Sequence, residues 1–137
     1  MSVRLNLAKT QLSSKIDGGY VDSLNSLSYL YSSIYLKNIP YISSKKEKVF
    51  PHLDMREIKK NALEHASLAI SILGEETKNH RVIDSLAVAK CINDKFDDAI
   101  TLEERAYRLS PHDEDYAQNL SSFKMHTCTA YWLYGLP

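Results

Sequence analysis

Apolar residues recur every three or four positions through most of the chain, and this spacing is the feature that most limits its fold. Such a spacing places apolar side chains on one face of an α-helix. The chain has only four glycines and four prolines, which favours long helices over a turn-rich β structure. The sequence therefore predicts an all-α fold. The firmest helix, of about five turns, starts at Tyr20 and carries Val21, Leu24, Leu27, Leu30, Tyr31 and Ile34.

The N-terminal part of the chain is expected to contain two helices and a long loop. A loose apolar series predicts a short helix that ends at Gly18-Gly19, and Pro40 is expected to close the helix that begins at Tyr20. Residues 38–53 combine charge, serine and a further proline without helical spacing, which predicts an unusually long connection. We therefore assign residues 1–37 to N-terminal helices and residues 38–53 to a loop.

Helix start and stop signals divide the rest of the chain into shorter helices. Asp54 and Glu57 form a capping-box pattern at the start of one helix, and Gly74 stands where that helix is expected to end. Further amphipathic segments follow, so residues 54–126 are predicted to be helical. The tail, residues 127–137, is aromatic and its structure is ambiguous. Together these segments predict a single domain, residues 1–137, of about six helices.

Two sequence offsets indicate an internal repeat. A shift of 37 residues places Ala62-Leu63 on Ala99-Ile100, and a shift of 34 residues places Leu86 on Leu120. The first offset relates the second helices of successive hairpins, and the second offset relates their first helices. Offsets of this size are typical of helical repeat proteins, in which each hairpin packs on the next one.

The segment from about residue 80 to 113 resembles the tetratricopeptide repeat, a helix-turn-helix unit of about 34 residues. Glu103 stands where an aromatic residue is common in that family, and the flanking units are irregular. The resemblance implies antiparallel hairpins stacked as a short right-handed solenoid that binds other proteins. The residues that carry it are Leu86-Ala87 in the first helix, Phe96 at the turn, Asp97-Asp98-Ala99-Ile100 at the start of the second helix, and Ala106 and Pro111 near its end.

Two expectations concern how the helices pack. Ala99 and Ala106 lie seven residues apart on nearly the same helix face, so they are expected to let two helices approach closely. The helix from Tyr20 to Leu36 is expected to pair with the helix from Met55 to Leu73, as a hairpin expanded by the long loop.

The resemblance also implies a concave groove lined by the first helix of each unit. The subgroup of the family that clamps a C-terminal carboxylate uses lysine and asparagine on these turns, whereas this chain has Asp84 and Val88. A mixed apolar and polar groove is therefore expected, suited to an extended segment or a helix of another protein. Packing of these residues against the protein's own N-terminal helix is the alternative. The implied groove residues are Arg81, Asp84, Val88, Cys91, Ile92, Asp115, Gln118, Ser122, Met125 and His126.

Charge and composition argue against several classes of partner. Seventeen basic residues balance seventeen acidic ones, so no overall field steers the chain to nucleic acid or to an anionic membrane. No apolar run approaches the roughly 20 residues of a membrane-spanning helix, and the N-terminus lacks a signal-peptide pattern. With only two cysteines, Cys91 and Cys128, the chain is expected to be cytoplasmic with reduced thiols.

Residues with catalytic or metal-binding chemistry form no familiar motif. The five histidines are scattered singly, and neither HExxH nor CxxC occurs, so no metal or cofactor is predicted. The acidic residues from Asp97 to Asp115 are interpreted as helix starts and solvated faces rather than as a metal or acid-base site. A non-catalytic protein is therefore predicted. A deep pocket with two buried carboxylates or a histidine pair would instead favour a small helical enzyme.

Two further segments are candidate interaction sites. The aromatic tail contains Tyr131, Trp132, Leu133 and Tyr134, which suit either an interface or a solenoid cap. The basic run Lys45-Lys46-Glu47-Lys48 suits either contact with an anion or a solvated loop. The sequence thus predicts an adaptor, a chaperone-like peptide holder or a subunit of a larger assembly. Self-association through the tail, as a homo-oligomer, is the alternative.

Overall fold

The described part of the chain is built from α-helices. The computed structural model describes residues 18–44 and 53–128, and no strand occurs within those ranges, so the predicted all-α class is confirmed. The short helix predicted before Gly18 lies outside them. None of the described helices combines the length and apolar character needed to cross a membrane. In chain order they are α1 (Gly18–Ser44), α2 (Met55–Leu73), α3 (His80–Ile92), α4 (Phe96–Leu109) and α5 (Glu114–Lys124).

Local side-chain chemistry explains where several helices begin and end. Asp54 and Asp113 each accept a hydrogen bond from the backbone N–H two residues later, at 2.9 and 3.0 Å. Asn79 accepts one from the N–H three residues later, at 3.3 Å. These bonds satisfy donors that have no partner inside the helix. At the end of α2, Gly74 adopts a φ of 97°, a conformation that glycine takes without the steric cost other residues meet.

Helix α1 is longer than the spacing of its apolar residues predicts. It runs through Pro40 to Ser44, so the expectation that Pro40 closes the helix is not met, and the connection to α2 starts later than residue 38. A proline removes one backbone N–H from a helix. Because α1 packs against both α2 and α3, tertiary contacts stabilise it beyond its intrinsic propensity.

Small side chains let α1 and α2 pack closely. Ala62, Ala66 and Ala69 of α2 are fully buried, and the hydroxyl of Ser28 in α1 donates to the backbone carbonyl of Ala62 at 2.8 Å. A side chain can bond to the backbone of another helix in this way only when the two helices lie close together. The expected pairing of these two helices is therefore observed.

Helix α3 occupies the centre of the domain. Helices α1, α2 and α4 all pack against it, and ten of its 13 residues are buried. On α4, Ala99 and Ala106 are fully buried, as expected for small residues at a close helix contact. A helix covered on so many sides must bury polar residues too, and Asp84 and Ser85 are among them.

A disulfide bond joins Cys91, in the last turn of α3, to Cys128, which follows α5. The expectation of reduced thiols is therefore wrong. The two cysteines lie 37 residues apart in the sequence, and they meet because the end of α3 lies beside the segment that follows α5, where Cys91 also contacts the carbonyl of Thr127. Since structural disulfides persist mainly in oxidising compartments, the bond does not favour the predicted cytoplasmic location.

Removing the disulfide is expected to destabilise the domain. In Cys128→Ser, the unfolded chain loses a cross-link that closes a loop of 37 residues, so the free energy of unfolding should fall by about 2 to 4 kcal/mol. Urea denaturation followed by circular dichroism measures the change, with Ser121→Ala, at an exposed serine, as the control. Two freely titrating thiols in the native wild type would contradict the bond.

Candidate ligand-binding cleft

A cavity of about 480 Å³ opens between α1, α3 and the start of α5. It lies where three first helices of the predicted hairpins meet. Its lining combines two tyrosine rings with carboxylates and one guanidinium group. The lining residues are Ser26, Tyr29, Arg81, Asp84, Asp113, Asp115 and Tyr116, and we call this cavity the cleft.

Asp84 forms the buried floor of the cleft. Only 1% of its surface is exposed. One carboxylate oxygen accepts a short hydrogen bond from the hydroxyl of Tyr29 in α1, and the other accepts from the side-chain amide of Asn119 in α5 at 3.4 Å. Burial raises the pKa of Asp84, and the neighbouring carboxyl group of Glu103 and the hydrogen bonds from Tyr29 and Asn119 oppose that rise. This residue therefore links three helices through its carboxylate.

Glu103, on α4, lies behind Asp84 and is completely buried. Within the described residues neither of its carboxyl oxygens has a hydrogen-bond partner. Burial, and then the negative charge of Asp84, raise the pKa of Glu103 to about 12. At neutral pH Glu103 is therefore protonated, and its hydroxyl can donate to Asp84, which two ionised carboxylates could not do.

Two tyrosines form the walls of the cleft. The hydroxyl of Tyr116 lies 2.8 Å from Nδ1 of His80, and the two rings meet edge to face with centroids 5.6 Å apart. Burial, followed by the charge of Asp84, raises the pKa of both Tyr29 and Tyr116. Both phenols therefore stay neutral and act as polar groups on otherwise apolar walls.

The rim of the cleft is acidic. Asp113 caps α5 through the N–H of Asp115, and the side chain of Asp115 is exposed. Burial, and then the charges of Asp113 and Glu114, raise the pKa of Asp115. Arg81, exposed at the start of α3, is the only basic residue among the seven that line the cleft.

The implied groove residues divide into three groups. Arg81, Asp84 and Asp115 line the cleft. Gln118, Met125 and His126 are exposed at other places, and His126 stacks on Phe96 with ring centroids 4.6 Å apart. The four remaining residues are buried, which corrects the expectation that they line an open groove: Val88, Cys91, Ile92 and Ser122.

Contacts with α1 explain why Asp84 on α3 is buried. Asp84 bonds to Tyr29, and the hydroxyl of Ser85 donates to the side chain of Asn25. The alternative that α3 packs against the protein's own N-terminal helix is therefore the one observed for Asp84. Its carboxylate both joins α3 to α1 and lines the cleft.

Sequence reasoning missed Glu103, Tyr29 and Tyr116. The interpretation of Glu103 as part of a solvated face is wrong, although a signal was present. Glu103 follows Ala99 by four residues and precedes Ala106 by three, so it shares their buried face. Tyr29 carries no such signal, because its partner Asp84 lies 55 residues away in the sequence.

Two predicted interaction segments lie outside the described residues: the tail residues Tyr131, Trp132, Leu133 and Tyr134, and the basic run at residues 45–48. Within residues 18–44 and 53–128, no group of three or more histidine, cysteine or acidic residues is arranged to hold a metal ion.

Similarity to known proteins does not indicate what the cleft binds. The chain matches no protein-family model, no curated protein and no solved structure. Any function must therefore be argued from the cleft itself.

Proposed function

We propose that the protein is a non-catalytic interaction module that binds an extended segment of another protein in the cleft. The observation that carries this proposal is the position of the cleft at the meeting point of α1, α3 and α5. These are the first helices of the hairpins, and in tetratricopeptide-like domains the first helices line the binding surface. A concave site with apolar walls and a few polar groups suits a peptide ligand.

Contacts between helices support a repeated stacking of hairpins. His80 and Tyr116, Asp84 and Asn119, and Cys91 and Cys128 join α3 to the α5 region at separations of 36, 35 and 37 residues. These contacts follow one another in the same order along both helices, so α3 and α5 run in parallel. Parallel first helices at a spacing near 34 residues support the short tetratricopeptide-like solenoid that the sequence resembles.

Filling the cleft is expected to abolish peptide binding without unfolding the protein. Ser26 is exposed and lines the cleft, so Ser26→Trp places an indole in the space that a ligand needs. Peptides are first selected from a random phage-displayed library on the full-length wild type, and their affinities are measured by fluorescence anisotropy. We expect Ser26→Trp to weaken binding by at least about tenfold, equivalent to about 1.4 kcal/mol.

Ser23→Trp is the matched control, since Ser23 is exposed on the same helix but does not line the cleft. It should leave affinity within about twofold of the wild type, a change well below 1 kcal/mol. Equal affinity for wild type and Ser26→Trp, or failure to select any peptide, would overturn the proposal.

A small helical enzyme is the second candidate, and the buried pair of Asp84 and Glu103 beside the cleft favours it. A protonated carboxylic acid next to an ionised one is the arrangement that acid-base catalysis uses. We place it second because Glu103 is wholly buried and Asp84 is almost so, whereas a general acid must reach its substrate. Turnover of a cleft ligand that Glu103→Gln abolishes, with binding retained, would reverse this order.

A further inference from the structure

We propose that the cleft selects its partner segment by a basic side chain, a lysine or an arginine, whose cationic end meets the acidic rim while its stem lies between Tyr29 and Tyr116. This inference rests on the proposed function, because it names the chemistry of the segment that the same cleft binds.

The charges of the cleft are the first argument. Its lining contains three carboxylates, those of Asp84, Asp113 and Asp115, against the single guanidinium of Arg81. None of the three carboxylates forms an ion pair with a basic side chain in the described ranges, where the ion pairs are those of Arg56 with Asp54, Lys60 with Glu64 and Lys90 with Asp98. The cleft is thus electrically complementary to a cation.

Asp84 holds one of these acidic groups in a fixed position. Its carboxylate is buried and is held by the hydroxyl of Tyr29 and the amide of Asn119. These donors are neutral, so they orient the carboxyl group without supplying a positive charge to it. A cation in the cleft would favour the ionised form of this group and attract it more strongly than it would an exposed carboxylate.

The N-terminus of α5 does not act as a binding site for an acidic ligand. A helix N-terminus attracts anions through its free backbone N–H groups. Here the side chain of Asp113 already accepts from the N–H of Asp115, and Glu114 and Asp115 add further negative charge to the first turn. An acidic ligand would therefore meet repulsion, and the rim favours a basic one.

The walls of the cleft fit the rest of a basic side chain. Lysine and arginine have long apolar stems that lie along apolar surface while the charged end stays near water. Tyr29 and Tyr116 both line the cleft and supply such surface, and a cation near a tyrosine ring gains a further attraction. A short or acidic side chain would use neither feature.

Peptide selection tests the inference apart from the proposed function. The full-length protein is panned with a random phage-displayed peptide library, and the selected sequences are counted. Enrichment of lysine or arginine at one position is the expected result. Selection of peptides that bind the cleft without a shared basic position would overturn the inference and leave the proposed function standing. Failure to select any peptide would overturn both.

A charge reversal on the rim tests the role of the carboxylates. Asp115→Lys replaces an exposed, cleft-lining carboxylate, and Glu114→Lys makes the same change of charge at the neighbouring exposed position, which does not line the cleft. We expect Asp115→Lys to weaken binding of a selected basic peptide by about five- to tenfold, since each exposed charge pair contributes up to about fivefold. Equal effects of the two variants would overturn the inference.

The chain itself offers an alternative occupant. Residues 1–17 contain Arg4, Lys9 and Lys15 against one acidic residue, Asp17. A synthetic peptide of this sequence is therefore added in competition with the selected peptide. No displacement supports a segment of another protein, and displacement at equal affinity would overturn that assignment in favour of this chain's own segment.

Discussion

An Ala106→Arg variant is expected to be unfolded at room temperature. Ala106 is completely buried on the face of α4 that packs in the core, where no space remains for a long side chain. Overpacking costs about 1 to 3 kcal/mol or more and burial of a charge costs several more, a sum comparable with the roughly 5 to 15 kcal/mol by which a domain of this size is stable. Far-UV circular dichroism and a urea titration measure the outcome.

Thr101→Arg is the control for Ala106→Arg. Thr101 is exposed on the same helix, so the arginine can extend into water and the free energy of unfolding should change by less than about 1 kcal/mol. If Ala106→Arg unfolds cooperatively at the urea midpoint of the wild type, Ala106 does not lie in a closely packed core.

Replacing Glu103 with glutamine is expected to stabilise the protein at neutral pH. Glutamine has nearly the same shape as protonated glutamic acid and can donate to Asp84 in the same way, but it needs no proton when it is buried. The wild type must instead hold a proton on a group whose ordinary pKa is 4.5 and whose pKa in the folded protein is about 12. At pH 7 the difference amounts to as much as about 3 kcal/mol.

The sign of the pH dependence follows from the raised pKa of Glu103. Below its ordinary pKa of 4.5, the folded and unfolded chains both carry the proton, and the stability that this group contributes is fully present. As pH rises from there toward 12, only the folded chain keeps the proton, so stability falls by up to about 1.4 kcal/mol per pH unit. The glutamine variant should lack this part of the slope.

Urea denaturation at several pH values between 5 and 9 measures the effect of Glu103→Gln, with Glu76→Gln, at an exposed position, as the control. The gain over wild type should grow with pH for Glu103→Gln and stay near zero for Glu76→Gln. A loss of stability for Glu103→Gln throughout this range would contradict a buried, protonated acid.

The pair of Asp84 and Glu103 shows how charged residues mislead when they are interpreted one at a time. Glu103 falls among acidic residues that mostly begin helices or face water, and Asp97, Asp98 and Glu114 are indeed exposed in first turns. What separates Glu103 from them is its place between Ala99 and Ala106 on the packed face. The position of Glu103 on the face of Ala99 and Ala106 therefore indicates its burial better than its charge does.

Similar reasoning applies to the predicted groove. Family resemblance placed Arg81, Asp84 and Asp115 on one surface, and these three do line the cleft. The same resemblance placed Val88 and Ile92 there, but both are buried. Both belong to the core in which α3 packs against α1, α2 and α4, so the expected open groove does not extend beyond the first turns of α3.

The amino-acid sequence by itself determined the helical class, the cap at Asp54, the glycine stop at Gly74 and the small residues of α4. These features depend on spacing and on bonds between residues a few positions apart, which the order of residues specifies directly. Only the tertiary structure decided that α1 runs past Pro40, that Cys91 meets Cys128, and that Asp84 binds Tyr29. Those outcomes depend on contacts between helices far apart in the sequence, and the packing of the whole domain selects them.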